Sequence, residues 1–400
     1  MKIIIQKFGG TSLQNAEIRN KAADHVARAI KNGYSPVVVV SAMGRDGDPY
    51  ATDTLLKTVN SIHKEISPRE KDMIMSCGEV ISAVTMVQTL KQKNINAIAL
   101  NGIQAGIITD ENYGQAKIQK VMPERLFDTL NKGLVPVVTG FQGISENGEI
   151  TTFCRGGSDT TASILAAVLK VKHIEIYSDV DGLATADPNK ISGTSQIPNV
   201  NYIEAVEMAD KGANVIHPHA VEIASQFNIP IMLFSTLSNN NPTMITNLKN
   251  ERPVTVITSE NKIIYTQIFP QEEINLATEL SVFQILAEQN VSVDFIDITP
   301  ELISFIVDDL NEDKLLQIVN ENNYYFNIEK NFSKVSVVGS GMTGMPGVMS
   351  KIVKALTDRD IMIYKCTDSY TTISCLVKSV DEKRAISALH EEFELGEKNV

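Results

Sequence analysis

The sequence predicts an α/β fold with a mainly parallel sheet, followed by two small α+β units. Three observations carry that prediction. Short apolar runs alternate with helical periodicity over residues 1–236, the pattern of a parallel sheet with helices on both faces. The pattern changes after an Asn-rich, Pro-bearing stretch at 237–252 (LSNNNPTMITNLKNER). Beyond it the chain repeats at an offset of 70 residues: LAEQNVSVDF (286–295) aligns on LTDRDIMIYK (356–365), LISFIV (302–307) on TISCLV (372–377), and LLQIVNENN (315–323) on AISALHEEF (385–393).

Each element has its own justification. The apolar runs at 2–5, 37–40, 96–100, 134–138, 174–177 and 229–234 read as strands covered on both faces. Helical spacing is best at 15–31, 70–93, 158–169, 202–211 and 218–227. Residues 141–153 (FQGISENGEITTF) break the alternation, and Asn147-Gly148 between two β-prone runs reads as a hairpin. Each repeat in the second half reads strand, helix, strand, turn, strand, helix. Two such units side by side can share one sheet, with ligand crevices where they meet. The resulting limits are a first domain at 1–240, a linker at 241–262, and small units at 263–331 and 332–400. Gly339-Ser-Gly341-Met-Thr-Gly344 fits a dinucleotide fingerprint, but too little chain follows it for such a domain, and the repeat accounts for it.

Composition narrows the function. A length of 400 residues suits two or three domains, and a net charge of −12 argues against nucleic acid and anionic membrane as partners. Cys77, Cys154, Cys366 and Cys375 are scattered without C-x-x-C spacing, so free buried thiols in a reducing cytoplasm are expected. The chain opens on a strand, so no signal peptide is expected, and no apolar run of membrane-spanning length is read.

Chemistry concentrates at strand ends. KIIIQKFGGTS (2–12) runs a buried strand into Lys7, Phe8, Gly9, Gly10, Thr11 and Ser12, where open α/β sheets bind ligands. The glycine amides and hydroxyls suit a phosphate and Lys7 can neutralise it, although the spacing is not that of a Walker A loop. TTFCRGGSDTTASILAA (151–167) sets Arg155 before two glycines and a helix start. There Ser158 reads as an N-cap and Asp159 favours the helix dipole, while Arg155 suits a bidentate carboxylate. Glu79 in SCGE (76–79) is flanked by apolar residues, which points to a buried, partnered carboxylate. VVVVSAMGRDGDPYATD (37–53) ends a strand in Ser41 and continues into a loop carrying Thr52 and Asp53. Ser178, Asp179, Asp181 and Gly182 follow another strand. The two acids are either turn residues or contacts to a nucleotide and its magnesium. His217-Pro218-His219 lacks a third ligand, so no protein metal site is expected.

Together KFGGTS (7–12), VVVVSAMG (37–44), SCGE, GFQG (140–143), RGGSDTTA (155–162), SDVDG (178–182), TADP (185–188) and VIHPHA (215–220) resemble the aspartate kinases of the amino-acid-kinase superfamily. SVDFIDITPELISF and MTGMPGVMSKIVKAL extend the resemblance to a C-terminal pair of ACT domains, and TDSYTTISCLV looks most like the diaminopimelate-sensitive type of bacilli. The resemblance implies an amino-acid-kinase αβα sandwich with two ferredoxin-like ACT domains. It also implies transfer of the ATP γ-phosphoryl to the β-carboxylate of L-aspartate, the first step towards lysine, threonine and methionine. It gives Lys7 and Asp159 catalytic positions. It puts ATP, with its Mg2+, against Lys7, Phe8, Gly9, Gly10, Thr11, Ser178, Asp179, Asp181 and Gly182. It puts aspartate against Ser41, Thr52, Glu79, Arg155, Ser158 and Asp159. An amino-acid effector is expected at the ACT pair, near Met342, Met345, Gly347 and Val348, and a homodimer or higher homo-oligomer in the cytoplasm.

Three departures fall on the nucleotide side. Asn189 and Asn214 stand where the family carries basic residues, His219 replaces another, and Ala184 stands where an aromatic is common. Lys190 or Lys211 are the candidates to restore the charge. The alternative reading is therefore a catalytically impaired relative that senses an amino acid or serves as a regulatory subunit.

Overall fold

The computed structural model describes residues 1–63, 65–213, 215–238, 240–248, 252–269, 276–321, 325–342 and 344–396. Asn214 lies outside the described residues. The chain divides into two compact units: Met1–Leu183, Gln196–Asp210 and Asn214–Lys249 form the first, and Ala184–Ser195, Lys211–Ala213 and Asn250–Val400 the second.

The first unit runs β1 (Ile3–Phe8), α1 (Ala16–Lys31), β2 (Ser35–Val40), α2 (Thr52–Asn60), α3 (Pro68–Gln92), β3 (Ala97–Leu100), β4 (Ile107–Thr109), β5 (Ile118–Val121), α4 (Glu124–Asn131), β6 (Val135–Thr139), β7 (Gln142–Ser145), β8 (Ile150–Thr152), α5 (Gly157–Val168), β9 (Ile174–Ser178), β10 (Asn199–Asn201), α6 (Tyr202–Asp210), α7 (Pro218–Gln226), β11 (Ile231–Ser235) and β12 (Thr243–Thr246). The main sheet has the order β10-β12-β11-β9-β1-β2-β6-β3 and is parallel except where β11 meets β12. The six apolar runs became β1, β2, β3, β6, β9 and β11, with core residues such as Ile5, Val38, Val137 and Ile176 at most 2% exposed. The chain builds outward from β1 first through β2 and later through β9, so a topological switch point lies at β1, where such sheets bind ligands. A smaller sheet, β5-β4-β7-β8, holds the expected hairpin: β7 pairs antiparallel with β8 and Gly148 takes φ +87° in the turn.

The five expected helices are α1, α3, α5, α6 and α7. Two short ones, α2 and α4, were not foreseen, and Thr52 and Asp53 open α2 instead of lying in a loop. Asn15 caps α1 by accepting from the Ile18 N–H, 2.9 Å, and Ser67 caps α3 in the same way. Ser158, expected as an N-cap, is instead the second residue of α5, because Gly156 takes the cap position in a left-handed conformation. By length and composition α3 could span a membrane, which the search for unbroken apolar runs did not show. More than half of its most apolar window is buried within the fold, and it carries the buried acids Asp72 and Glu79.

The second unit runs β13 (Val256–Phe269), α8 (Leu276–Glu288), β14 (Asp294–Thr299), β15 (Leu302–Asp308), α9 (Glu312–Glu321), β16 (Tyr325–Val338), α10 (Val348–Thr357), β17 (Lys365–Asp368), β18 (Thr372–Lys378) and α11 (Glu382–Glu392). One antiparallel sheet, β14-β15-β13-β16-β18-β17, serves both repeats. The offset of 70 recurs in β15 and β18, and in the left-handed turn residues Asn290 (φ 52°) and Asp360 (φ 55°). One core forms around Leu286, Ile303, Phe305 and Leu315, the other around Val335, Ile352, Leu356 and Leu389.

Two expected boundaries do not coincide with breaks in structure. The stretch 241–262 contains β12 and the start of β13, and β16 runs straight through 331/332. The Asn and Pro residues mark turns there, while the alternating Thr, Met and Ile of 243–246 pair with β11 and β10. Gly339 and Gly341 owe their place to close approach: a Cβ on either would lie 2.2 Å from the Pro253 carbonyl or 2.5 Å from that of Arg252. The excursion 184–195 belongs to this unit. Lys190 Nζ there donates to Glu382 Oε1 and Ser259 Oγ, both at 2.7 Å, and Thr185 Oγ1 meets His390 Nε2 at 2.9 Å.

Candidate active site

A cavity of about 430 Å³ opens in the first unit at the carboxyl ends of β1 and β2, lined in part by Lys7, Gly10, Ser41, Thr52, Glu79, Arg155 and Ser158. Residues far apart in sequence converge there for local reasons. Lys7 leaves the end of β1 and pairs with Asp159 in the first turn of α5, Nζ to Oδ1 2.5 Å, with both side chains about nine-tenths buried. The helix N-terminus adds positive potential beside that carboxylate. Asp159 Oδ2 also accepts from the His217 N–H, 3.3 Å.

Glu79 owes its position to Gly78. A Cβ at Gly78 would lie 2.8 Å from Ala42 Cβ, so only glycine lets α3 approach the loop after β2 this closely. The approach lets Glu79 Oε1 accept the Ala42 N–H at 3.0 Å, while Oε2 is buried with no hydrogen-bond partner among the described residues. Burial pushes the Glu79 carboxyl up to about 8, against the opposing pull of the Ala42 amide. An unsatisfied buried carboxylate oxygen facing a cavity suits a cationic ligand group.

Arg155 stands at the other wall, 94% exposed, its guanidinium 3.8 Å from Asp53 Oδ1. Gly156 behind it takes φ +82°, and a Cβ there would lie 2.2 Å from the His217 ring. That close fit turns the chain sharply from Arg155 into α5.

The residues expected to hold a nucleotide divide. Gly10 lines the cavity, but Phe8 is fully buried and stacks on Tyr177, and the Gly9 N–H donates to the Tyr177 carbonyl, 3.1 Å. In this structure the Phe8 side chain and the Gly9 amide therefore support the loop from beneath. Ser12 is likewise committed, donating to the Tyr177 carbonyl and accepting from Thr236. Thr11, next after Gly10, opens a single 3-10 turn, Thr11–Leu13. Ser178 ends β9, and Asp179, Asp181 and Gly182 follow it, all outside the cavity lining. Asp179 pairs with Arg45 at 2.5 Å; Asp181 accepts from Ser238 and, at 3.0 Å, from Asn240. Gly182 takes φ +106°, and a Cβ there would meet Thr243.

Asn189 and Lys190 serve the second unit. Asn189 donates to Asp187, 3.0 Å, and Lys190 is bound to Glu382. The described residues include no cluster of three His, Cys, Asp or Glu that would hold a metal. In the second unit Val348 and Met342 are buried, Met345 is exposed, and Gly347 caps α10 with φ +94°.

Sequence reasoning missed two supporting residues. Arg45 lies in the Gly-rich loop after β2 and carries no distinctive signal. Asp72 is fully buried and accepts from the Gly114 N–H (3.0 Å), the Thr152 N–H (2.7 Å) and Thr152 Oγ1 (2.8 Å). A signal did exist for it: Asp72 precedes Glu79 by two helical turns and so shares its buried face. Three cysteines also depart from the expectation of burial, Cys366 being only half-buried. Cys77 and Cys154 are exposed, and Cys366 and Cys375 are brought together across two strands.

Residues 2–235 match the amino acid kinase family and residues 327–391 an ACT domain. Aspartokinase 1 of Bacillus subtilis is 43% identical over 406 residues, covering 99% of this chain and all of that one. The chain belongs to the aspartokinases of the amino acid kinase family. An aspartokinase of Geobacillus stearothermophilus is 37% identical, covering 99% of this chain and 98% of its own. In fold, Escherichia coli aspartokinase III, solved with aspartate and ADP, superposes with a TM-score of 0.80 at 23% identity, covering 98% of this chain and 99% of that one. The family's αβα kinase sandwich and ferredoxin-like ACT sheet are thus the two units described above.

Proposed function

We propose that the chain phosphorylates L-aspartate on its β-carboxylate with ATP, giving 4-phospho-L-aspartate and ADP. The observation that carries this reading is the single cavity that gathers Lys7, Ser41, Thr52, Glu79, Arg155 and Ser158. Arg155 holds the α-carboxylate and Glu79 the ammonium, while Ser41, Thr52 and Ser158 supply neutral hydrogen bonds. This leaves the β-carboxylate facing Lys7. Phosphoryl transfer needs positioning and charge neutralisation more than a covalent nucleophile. A β-carboxylate oxygen attacks the γ-phosphorus, the bond to the β-phosphate oxygen breaks, and Lys7 offsets the negative charge where the two anions meet. Asp159 holds the Lys7 ammonium in place before substrates arrive. Magnesium enters with the nucleotide as part of that substrate, and the nucleotide is held along the β1 loop and the turn at 178–182.

Regulation belongs to the second unit. An amino-acid effector binds the ACT pair with its carboxylate at the start of α10, near Met342, Met345, Gly347 and Val348. The working assembly is a cytoplasmic homodimer or higher homo-oligomer.

The test is purified protein with magnesium ATP and L-aspartate, trapping acyl phosphate as the hydroxamate, beside a Lys7→Ala control. Lys7-dependent hydroxamate supports the kinase. No hydroxamate, with aspartate or another amino acid still binding, replaces it by the impaired sensor, the reading that Asn189 and the engagement of Lys190 by Glu382 favour.

A further inference from the structure

Strands β17 and β18 set Cys366 directly opposite Cys375. The Ser369 N–H donates to the Thr372 carbonyl at 2.8 Å and closes the turn between them. Counting back along the antiparallel ladder, Cys366 and Cys375 form a non-hydrogen-bonded pair, the kind whose Cα atoms lie about 4.5 Å apart. Disulfides span Cα separations of about 4.4–6.8 Å. The two sulfurs are 3.0 Å apart. Strand β17 is the outermost of its sheet and Cys366 is only half-buried, so a small reagent reaches it, whereas Cys375 is 1% exposed.

The first repeat shows that packing does not require these thiols. Seventy residues earlier, Ile296 and Phe305 occupy the matching positions, with Phe305 fully buried. The second repeat thus carries a reactive pair where an apolar pair serves the same fold. The pair is also polarised. A hydrogen bond from the Cys375 thiol holds the Cys366 thiol below the usual range, while that bond and burial push Cys375 up. Cys366 is therefore the nucleophile and Cys375 the resolving thiol.

We propose that Cys366 and Cys375 are a reversible redox dithiol, oxidised to an intramolecular disulfide by a peroxide and reduced again by a low-molecular-weight thiol. The Cys366 thiolate attacks one peroxide oxygen, the O–O bond breaks, and Cys366 becomes a sulfenic acid with release of water. The Cys375 sulfur then attacks the Cys366 sulfur, the S–O bond breaks, and a second water leaves. Two thiols lose two electrons and two protons, and hydrogen peroxide is reduced to two waters. Two equivalents of thiol reverse the reaction by exchange through a mixed disulfide. The bond joins the edge strand β17 covalently to β18.

The experiment treats the full-length protein with graded hydrogen peroxide, traps remaining thiols by alkylation in denaturant, and digests with trypsin. Cleavage after Lys365 and Lys378 leaves both cysteines in one peptide, 366–378. The expected product is that peptide two hydrogens lighter, resistant to alkylation until reduced, and formed at least about tenfold faster from folded than from urea-unfolded protein. In Cys366→Ser, Cys375 should remain a free, alkylatable thiol at the same dose. The proposal is overturned if peptide 366–378 carries two alkyl groups at a dose that oxidises the exposed Cys77 and Cys154. It is equally overturned if Cys366 gains oxygen while Cys375 stays free, or if folded and unfolded protein react at the same rate.

Discussion

The acceptor side and the nucleotide side of the kinase unit are built on opposite plans. On the proposed acceptor side Lys7 lies at the end of β1, Asp159 in the first turn of α5 and Glu79 on the buried face of α3, each under 10% exposed. On the nucleotide side Asp179 and Asp181 stand near the surface, already engaged by Arg45, Ser238 and Asn240. A buried group has no water to fall back on, so these three groups are preorganised and intolerant of change, although Arg155 beside them is exposed. The exposed partners exchange for solvent or phosphate at little cost, so the proposed nucleotide site would rest on several weak contacts. This difference explains how Asn189 can stand where the family carries a basic residue while the acceptor side keeps its full set of groups.

The strongest way to break the comparison is Lys7→Ala. It removes the cation facing the transferring group and leaves Asp159 buried without its partner. The expected loss is about 10³-fold in kcat, with a much smaller change in aspartate KM. A loss below tenfold in a hydroxamate assay would mean that the acceptor side is not where charge is neutralised.

Glu79→Gln should be next, raising aspartate KM about 10²-fold through loss of the ammonium partner, with kcat less affected. Its titration gives a second reading. In the empty site the Glu79 carboxyl sits at about 8, above its ordinary 4.5. Aspartate's ammonium favours the ionised form, so binding near neutral pH should release a proton, and aspartate affinity should rise with pH up to about 8. Calorimetry in buffers of different ionisation enthalpy measures that proton, and Glu79→Gln should abolish it. Stability of the ligand-free protein should move the other way. The folded state holds the proton more tightly, so this contribution is full below pH 4.5 and is lost as pH rises through about 8.

Asp72 tests whether preorganisation extends beyond the cavity wall. Asp72→Asn keeps an oxygen for the two backbone N–H groups but exchanges the charged acceptor for a neutral one and forces the Thr152 hydroxyl to turn from donor to acceptor. The expected cost is about 2 kcal/mol in chemical unfolding, with aspartate KM raised several-fold because Thr152 leads directly into Phe153 and Arg155. Unchanged aspartate KM in a destabilised protein would confine Asp72 to folding.

The same contrast governs what could be read before the structure was seen. Lys7, Arg155 and Asp159 sit beside the ends of strongly patterned elements, and Glu79 is an acid flanked by apolar residues within α3, and so they stood out. The parallel sheet, the helices α1, α3, α5, α6 and α7, the hairpin and the offset repeat were legible for the same reason. The side-chain commitments were not. Nothing in the local pattern says that the Gly9 amide is spent on Tyr177, or that Phe8 is core beneath the loop. The pairing of Cys366 with Cys375 depends on the turn at 369–372 fixing the register, which spacing alone does not determine. The stretch 241–262 misled because its Asn and Pro residues mark turns between short strands as readily as they mark a linker.

The smallest expected effect is the sharpest test of the nucleotide side. Lys190, next to Asn189 in sequence, is one of the two candidates to replace the missing charge, yet its ammonium is held by Glu382 and Ser259 in the second unit. Glu382 in turn accepts from Ser259 and Ser333, so two hydroxyls remain to satisfy it if the lysine is removed. Lys190→Met should therefore leave ATP KM within about twofold of the parent while lowering stability by about 2 kcal/mol, the scale of a charge-assisted hydrogen bond lost from a mostly buried pair. A tenfold rise in ATP KM with unchanged stability would show instead that Lys190 leaves Glu382 for the nucleotide. The nucleotide side would then share the acceptor side's dependence on a single buried cation.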